Sequence, residues 1–233
     1  MYNSHPQLEE VDDSVVLWKY MNFTKFVALL VNEGVWFSRL DRFEDVFEGT
    51  YPPANERLRP EVYGDVVMPQ ANYDLIEHLS RLMYVSCFHA NNYESAAMWS
   101  LYSKDEGVAI QTTVKCLKES LLSETRNIYL SPVTYIDFEK DFLPEGNLLY
   151  LAAYKRKSFE HEKEVRCIFS DDFTKPIENG NTGFNSKMDL NKLIQKVYVS
   201  PYAQPFIEHI TIELLQKYSY PMEVVSSKLY TLT

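Results

Sequence analysis

The chain has 233 residues, a length that suits one large domain or two small ones and that can bury a substantial core. Hydrophobic residues make up 45% of it and aromatic residues 14%, which excludes a largely disordered chain. The net charge of −10 argues against general nucleic-acid binding and against an anionic-membrane surface.

The first 14 residues are polar and acidic and lack the basic and apolar segments of a secretory signal. We expect a flexible N-terminal arm over residues 1–14, followed by a single domain over residues 15–233. No apolar run approaches the ~18 to 20 residues that span a bilayer. Cys87, Cys116 and Cys167 are dispersed and show no metal-binding spacing, so they predict reduced thiols and no metal site. These features predict a soluble, cytoplasmic protein without a membrane partner.

The first half of the domain alternates apolar strands with amphipathic helices. Strands are predicted at residues 15–20, 35–38, 84–88 and 107–112. The first helix follows a cap at Asn22 or Thr24 and stops at Gly34. A second helix is expected to begin at Pro69 and to turn Leu75, Ile76 and Leu79 inward, and a third covers residues 95–102.

The second half continues the same irregular alternation. Helices are predicted at 114–122, 147–155 and 205–218, and strands at 128–136, 165–169, 196–200 and 223–226. Residues 171–187 are rich in Asn, Gly and Asp and predict a long surface loop. Because no glycine-rich turn joins a strand to a helix, the pattern favours an α+β fold with a mixed, curved sheet over a doubly wound one.

A charge-dense segment runs directly into the strand predicted at 165–169. It carries Glu162 and Glu164 in a Glu-x-Glu pair, with Lys163 between them and Arg166 just beyond. Such residues form a solvated ion-pair cluster in most proteins. Two carboxylates at the mouth of a strand can also serve acid–base or electrostatic catalysis, so they are candidate catalytic residues.

Several motifs together resemble the bacterial "domain of unknown function 2971" family, over about Leu17 to Leu229. They are Leu17-Trp18-Lys19-Tyr20, Trp36-Phe37-Ser38, Ser86-Cys87-Phe88, Met98-Trp99-Ser100-Leu101-Tyr102, and Lys157 with Glu162, Glu164 and Arg166. The Met-Trp-x-x-Tyr and Glu-x-Glu-x-Arg pieces are the most specific. As its name says, the family implies no established reaction.

The order of three motifs also resembles ADP-ribosyltransferases. Those enzymes place a basic residue on a first strand, a serine on a later strand and a catalytic Glu, often in Glu-x-Glu, last. Lys19, Ser86 and the Glu162–Glu164 pair follow this order here. The resemblance implies a split sheet and NAD as the substrate, and it leaves the acceptor unidentified.

The same resemblance implies a role for each residue. Glu164 would stabilise the oxocarbenium ion that forms when the nicotinamide bond breaks, and Glu162 would orient or deprotonate the acceptor. Lys19 would meet the pyrophosphate and Ser86 would line the cofactor site, while Tyr20 or Tyr102 would stack on the nicotinamide. These roles require Lys19, Ser86 and Glu164 to line a common cleft.

The sequence is also compatible with two other classes of function. A metal-dependent nuclease would gather Asp41, Asp45, Glu162 and Glu164 around magnesium, with Lys157 or Lys163 on the scissile phosphate. A non-enzymatic module for nucleotide sensing or phage defence would use the aromatic helix Met98 to Tyr102 as its recognition surface. The surroundings of Glu162 and Glu164 distinguish the three classes. A dry cleft around them favours the transferase and a cage of carboxylates favours the nuclease. A flat, exposed face favours the non-enzymatic module.

Overall fold

The computed structural model describes residues 1–64, 70–103, 106–121, 124–172 and 180–231. The strands are β1 (Tyr2–Asn3), β2 (Val16–Asn22), β3 (Gly34–Arg39), β4 (Met83–Ala90), β5 (Gly107–Thr113), β6 (Ile128–Pro132), β7 (Thr134–Ile136), β8 (Tyr154–Arg156), β9 (Glu164–Ser170), β10 (Gly183–Lys187), β11 (Lys196–Val199) and β12 (Glu223–Ser226). The helices are α1 (Phe23–Val31), α2 (Pro53–Tyr63), α3 (Gln70–Ser80), α4 (Ala96–Tyr102), α5 (Val114–Ser120), α6 (Tyr150–Ala153), α7 (Leu190–Leu193) and α8 (Pro205–Lys217).

Within the described ranges, ten strands form one sheet in the order β1-β6-β9-β4-β2-β5-β11-β12, with β3 and β10 on a side branch. The β1–β6 and β11–β12 pairs are parallel and the other pairs of this sheet are antiparallel, which confirms the predicted mixed sheet of an α+β fold. The branch arises at β4, whose one edge pairs with β2 near Ala90 and with β3 near Tyr84.

Strand pairing fixes which side chains share a face of the sheet, because successive residues of a strand point to opposite sides. Opposite β4, Cys167 of β9 pairs with Ser86 and Arg166 pairs with Cys87. We call the side that carries Ser86 and Cys167 the core face. The side that carries Cys87 and Arg166, and with them Glu164, is the charged face.

The core face supports the main hydrophobic cluster. Helices α1, α5, α7 and α8 contribute buried residues to it, such as Phe26, Leu117, Leu193 and Leu215. Helix α1 begins at the cap that the sequence predicts, because the Asn22 side chain accepts a hydrogen bond of 2.9 Å from the Lys25 N–H. Such a cap contributes about 1 kcal/mol.

The charged face holds two smaller apolar clusters. One surrounds Leu40, Val85 and Ile168, and the other surrounds Trp18 and Trp99. The predicted helix around Trp99 is therefore confirmed as an element of the core on this face.

Three predicted elements differ from the structure. Residues 147–155 form only the short helix α6 and then strand β8, because Tyr154–Arg156 pairs in parallel with β7. Strand 128–136 is interrupted at Val133. The C-terminal part of the predicted loop 171–187 is strand β10, which pairs with β3.

Two further expectations also need correction. The arm over residues 1–14 lies against the protein, since β1 pairs with β6 and Leu8 is buried. On α3, Leu79 is buried as expected but Leu75 is exposed. The predicted start of that helix at Pro69 lies outside the described residues. None of the helices in the described ranges is both long and apolar enough to cross a membrane.

Candidate functional site

The Glu-x-Glu pair lies where a 3-10 turn (Lys157–Glu162) meets strand β9. Between the two glutamates, Lys163 adopts a left-handed conformation with φ of 42°, which is uncommon for a residue with a side chain. This kink turns Glu162 and Glu164 inward together and leaves Lys163 exposed. Both carboxyl groups are therefore buried, with Glu162 only 4% exposed.

Lys155 lies at the centre of the carboxyl groups. Its Nζ is 2.8 Å from Glu164 Oε1 and 3.2 Å from Glu48 Oε1, and it also pairs with Glu162 Oε2. Burial alone would lower the pKa of Lys155, but the charges of Glu164 and Glu48 raise it above its usual value. The ammonium group therefore stays charged in the interior.

Arg166 supplies the second cation of the cluster and is fully buried. Its two terminal nitrogens each donate to Glu48 at 2.9 Å, and its Nε donates to Glu164 Oε2 at 2.5 Å. One of the terminal nitrogens also donates to the Ala152 carbonyl at 2.9 Å. Two-pronged pairing of this kind is the strongest geometry for an arginine and a carboxylate.

The cluster holds three carboxyl groups, of Glu48, Glu162 and Glu164, against the two cations Lys155 and Arg166. Burial, a hydrogen bond that protonated Glu162 donates to Glu164, and the negative charge of Glu164 raise the pKa of Glu162 to about 7. Burial would raise the pKa of Glu164 too, but Arg166 and Lys155 hold it well below its usual range. The proton that balances the cluster therefore resides on Glu162 near neutral pH.

Glu162 also has a contact that leads toward solvent. The Tyr102 hydroxyl donates to Glu162 Oε1 at 2.6 Å, and Tyr102 is 46% exposed at the end of α4. His89 Nδ1 lies 2.6 Å from the Glu162 carbonyl and must donate to it, because a carbonyl only accepts. His89 Nε2 is buried and has no hydrogen-bond partner among the described residues.

Both glutamates have partners at their two oxygens: Glu162 bonds Tyr102 and Lys155, whereas both partners of Glu164 are cations. Lys155 and Arg166 occupy the two oxygens of Glu164, and its backbone N–H donates to the Tyr135 hydroxyl at 2.8 Å. Any substrate that approached Glu164 would have to displace a buried cation.

Lys19 and Ser86 contact each other, but the contact is an internal hydrogen bond and not part of a cofactor site. Lys19 Nζ donates to Ser86 Oγ and to the Cys87 carbonyl, both at 2.9 Å, and lies 4.8 Å from the centre of the Phe88 ring. It bridges the gap where β2 leaves β4, since those strands pair only at Leu17–Ala90 and Trp18–His89. Burial lowers the pKa of Lys19.

The prediction that Lys19, Ser86 and Glu164 line a common cleft is wrong. Ser86 pairs with Cys167 on the core face, whereas Glu164 pairs with His89 on the charged face. The physical reason is the two-residue repeat of a strand, which sends neighbouring residues to opposite sides. The motif order is present, but the sheet itself separates its members.

The two tyrosines expected to stack on nicotinamide differ in their surroundings. Tyr20 is buried against Trp18 and Trp99, and its hydroxyl accepts a hydrogen bond of 2.9 Å from the Ser95 N–H. Only Tyr102 of the pair stands at a surface next to the carboxyl groups.

Two surface pockets among the described residues lie away from the carboxyl pair. One of about 220 Å³ is lined by Tyr51, Pro52, Pro53, Asn55, Glu56 and Arg59. The other, of about 560 Å³, lies between the ends of β6 and β9 and the segment around Asn147. Neither is lined by Lys19, Ser86 or Glu164, so these two pockets give no support to the cleft that the motif order implies.

The carboxylate set of the nuclease alternative does not assemble either. Asp41 pairs with Arg39 at 2.6 Å and Asp45 with Arg156 at 2.7 Å, whereas Glu162 and Glu164 pair with Lys155. In the part of the chain that the structure describes, no three His, Cys, Asp or Glu side chains are grouped so as to hold a metal ion.

Sequence reasoning missed two central members of the cluster, Lys155 and Glu48. Lys155 belongs to a basic run, Lys155-Arg156-Lys157, that suits a helix end, and Glu48 belongs to an acidic turn. Neither residue carries a local signal in the sequence, because Lys155 lies in strand β8, which pairs with β7, and Glu48 joins the cluster by pairing with Arg166.

The fold and the site define an α+β protein with a buried carboxyl pair on one face of a mixed sheet. Residues 98–167 match the model of a family described as "Protein of unknown function (DUF2971)", which confirms that resemblance for the segment carrying Tyr102, Lys155, Glu162, Glu164 and Arg166. No curated protein matches the chain.

A search of solved structures matches Thermus sp. 2.9 DarT in complex with ADP-ribosylated ssDNA. The sequences are 8% identical, the TM-score is 0.40, and the match covers 95% of this chain and 98% of DarT. A TM-score of 0.40 is too low to carry an argument about a shared fold or function.

Proposed function

We propose that this protein is an enzyme in which Glu162 transfers a proton and Glu164 stays ionised beside it. The observation that supports this most is geometric: Glu162 bonds a half-exposed tyrosine, while Lys155 and Arg166 occupy Glu164. Two neighbouring carboxyl groups whose surroundings drive their pKa values apart are the usual arrangement for acid–base work at neutral pH.

The substrate class that we propose is NAD, because the Glu-x-Glu pair at the start of β9 resembles that of ADP-ribosyltransferases. The roles differ from those the resemblance implies. Both oxygens of Glu164 are held by cations, whereas Glu162 Oε1 is held by the neutral hydroxyl of half-exposed Tyr102, so Glu162 is the carboxyl group that we expect to meet the reacting molecules. Lys19 and Ser86 belong to the core face and take no direct part.

The proposed reaction needs one general base, Glu162. The bond between ribose C1′ and the nicotinamide nitrogen breaks, and nicotinamide leaves as a neutral molecule with the bonding electron pair. A hydroxyl of water or of an acceptor forms the new bond to C1′, and its proton passes to ionised Glu162. The rate should therefore rise with pH through about 7, where Glu162 loses its proton, and then level off.

The test is nicotinamide release from NAD, with and without cell extract as a source of acceptors. Glu162→Gln should lower turnover at least ~10²-fold, since it removes a general base. Glu160→Gln is the matched control, because Glu160 lies in the same 3-10 turn but is exposed. Its turnover should equal that of the wild type.

Two results would contradict this proposal. If the wild-type protein releases no nicotinamide in either condition, the NAD proposal is wrong. Equal loss of turnover in Glu160→Gln and Glu162→Gln would contradict the role of Glu162.

One observation favours a second function, a non-enzymatic interaction module. Helix α4 buries Met98 and Trp99 but exposes Leu101 and Tyr102, and the nearby Tyr93 is also exposed. Exposed aromatic and aliphatic side chains of this kind are common at recognition surfaces. Leu101→Ala and Tyr93→Ala should leave nicotinamide release unchanged under the first proposal, whereas a module should lose its partner.

A further inference from the structure

The kink at Lys163 is held from the end of strand β4. The backbone carbonyl of Glu162, just before the kink, accepts a hydrogen bond of 2.6 Å from His89 Nδ1. The carbonyl of Lys163 itself accepts one of 2.9 Å from the Ala90 N–H. A left-handed conformation costs roughly 1 to 2 kcal/mol for a residue with a side chain, so it persists only where the surrounding contacts fix it. Two successive residues of β4 therefore hold the two peptide groups that flank the kink.

These two contacts depend on the sequence to different degrees. Ala90 donates from its backbone, as any residue except proline could. His89 donates from its side chain, and in a neutral imidazole ring this contact requires the proton to lie on Nδ1. Burial lowers the pKa of His89, which keeps the ring neutral near neutral pH. The peptide group before the kink is therefore held by a contact that depends on the side chain of His89.

His89 also contacts the support of the helix that carries Tyr102. Its ring lies edge to face with that of Tyr20, with the ring centres 6.1 Å apart. The Tyr20 hydroxyl accepts from the Ser95 N–H, and the Ser95 side chain caps the start of α4. Tyr102 is the last residue of α4 and donates to Glu162 Oε1. His89 thus lies between the segment that carries Glu162 and the support of its hydroxyl partner.

We propose that His89 is a positioning residue that fixes the Glu162 carboxyl group in the buried cluster. It acts through the backbone: Nδ1 holds the Glu162 carbonyl, which maintains the kink at Lys163 and turns the Glu162 side chain inward. His89 is itself buried, so it acts on Glu162 and not on a reacting molecule. Its effect on turnover rests on the proposed function of Glu162, whereas its effect on the place of the carboxyl group does not.

The experiment compares the NMR titration of the Glu162 carboxyl group among variants. His89→Phe keeps a flat ring but lacks the donor, so the midpoint for Glu162 should fall from about 7 toward the usual 4.5 as the carboxyl group reaches solvent. His89→Asn carries an N–H group in the place of Nδ1 and should keep the midpoint at about 7. A role in packing alone predicts the opposite order, because Phe fills the space of the ring better than Asn does.

His161→Phe is the matched control, because His161 lies in the same 3-10 turn as Glu162 but is exposed. It should leave the midpoint for Glu162 unchanged. A further measurement needs only the wild-type protein and so does not depend on how the variants fold. Nitrogen-15 NMR of the His89 ring near neutral pH should show the proton on Nδ1 and none on Nε2.

Nicotinamide release gives the readout for turnover. His89→Phe should lower kcat at least about tenfold with little change in KM, because a displaced base affects the chemical step, and His89→Asn should restore most of the loss. If the wild-type protein releases no nicotinamide, the NAD proposal is wrong, while the titrations still decide the role of His89. That role is overturned if the ring proton lies on Nε2, if His89→Phe titrates like the wild type, or if His89→Asn titrates like His89→Phe.

Discussion

The two faces of the sheet hold buried cations in opposite ways. On the core face, Lys19 is solvated by a hydroxyl and a carbonyl, and no carboxylate lies within ion-pair distance of it among the described residues. On the charged face, Arg166 and Lys155 are enclosed by three carboxyl groups. One strand pair, β4 with β9, therefore supports an apolar core on one side and an ionic cluster on the other.

The two faces also differ in how a substitution of their buried cation should affect stability. A cation held by neutral groups is easily replaced by an apolar side chain, whereas a cation held by carboxylates cannot be removed without leaving charges behind. On the charged face, the carboxyl group of Glu162 bonds a half-exposed residue, Tyr102.

Arg166→Met should cost about 3 to 5 kcal/mol of unfolding free energy, because it leaves Glu48 and Glu164 buried without their partner. Urea unfolding measures the loss. Lys196→Met is the matched control, since Lys196 pairs with Glu223 at 2.9 Å while both side chains are exposed. The control should cost less than ~1 kcal/mol. Equal costs would contradict the picture of a buried, interdependent cluster.

The pH dependence of stability should report Glu162. Its pKa in the folded protein is about 7, above the usual 4.5, so the folded state binds more protons than the unfolded state between those values. Stability from this group therefore falls as pH rises through that window, by up to about 3 kcal/mol. The contribution of His89 to stability rises with pH instead, because burial lowers the pKa of His89.

Comparison with Glu162→Gln removes the contribution of His89, which both proteins share. The difference in unfolding free energy between the variant and the wild type should move in favour of the variant as pH rises from about 4.5 to 7. Urea titrations at several pH values measure it. A difference that does not change with pH would show that Glu162 ionises at its ordinary pKa.

Lys19→Met should change the unfolding free energy by about 1 kcal/mol or less near neutral pH. The variant loses two hydrogen bonds but no longer buries a charged group, and these effects oppose each other. Because burial lowers the pKa of Lys19, the wild type also gains stability as pH rises toward the usual value of 10.5, and the variant should lack that gain.

Lys217→Met, at an exposed position at the end of α8, is the control for Lys19→Met and should change the unfolding free energy little. A cost for Lys19→Met as large as that for Arg166→Met would mean that both faces hold their cations alike.

Much of the fold could be predicted from local patterns. The Asn22 cap, the strands around Lys19 and Ser86, and the final strand at 223–226 follow from capping and alternation. Strand β8 could not, because Tyr154-Lys155-Arg156 pairs with a strand that is remote in sequence, and basic residues have low strand propensity. Strand β10 could not be predicted either, because it pairs with the distant strand β3 and lies in a segment rich in Asn and Gly, which are uncommon in strands.

The candidate site was only half predictable. Glu162, Glu164 and Arg166 were visible as a dense motif, but the face to which each points depends on strand register, which the order of motifs does not contain. For that reason Ser86 and Glu164 were expected together and lie on opposite faces. Glu48 joins the cluster from a distant loop, and no local pattern could reveal it.

The most direct test of the acid–base account is an NMR titration of the glutamate side-chain carboxyl groups, with Glu162→Gln used to assign the Glu162 signal. The account predicts that Glu162 titrates with a midpoint of about 7, while Glu164 stays ionised down to well below 4.5. If both groups titrate below 5, or if Glu164 is the one that titrates near 7, the division of roles between the two glutamates is wrong.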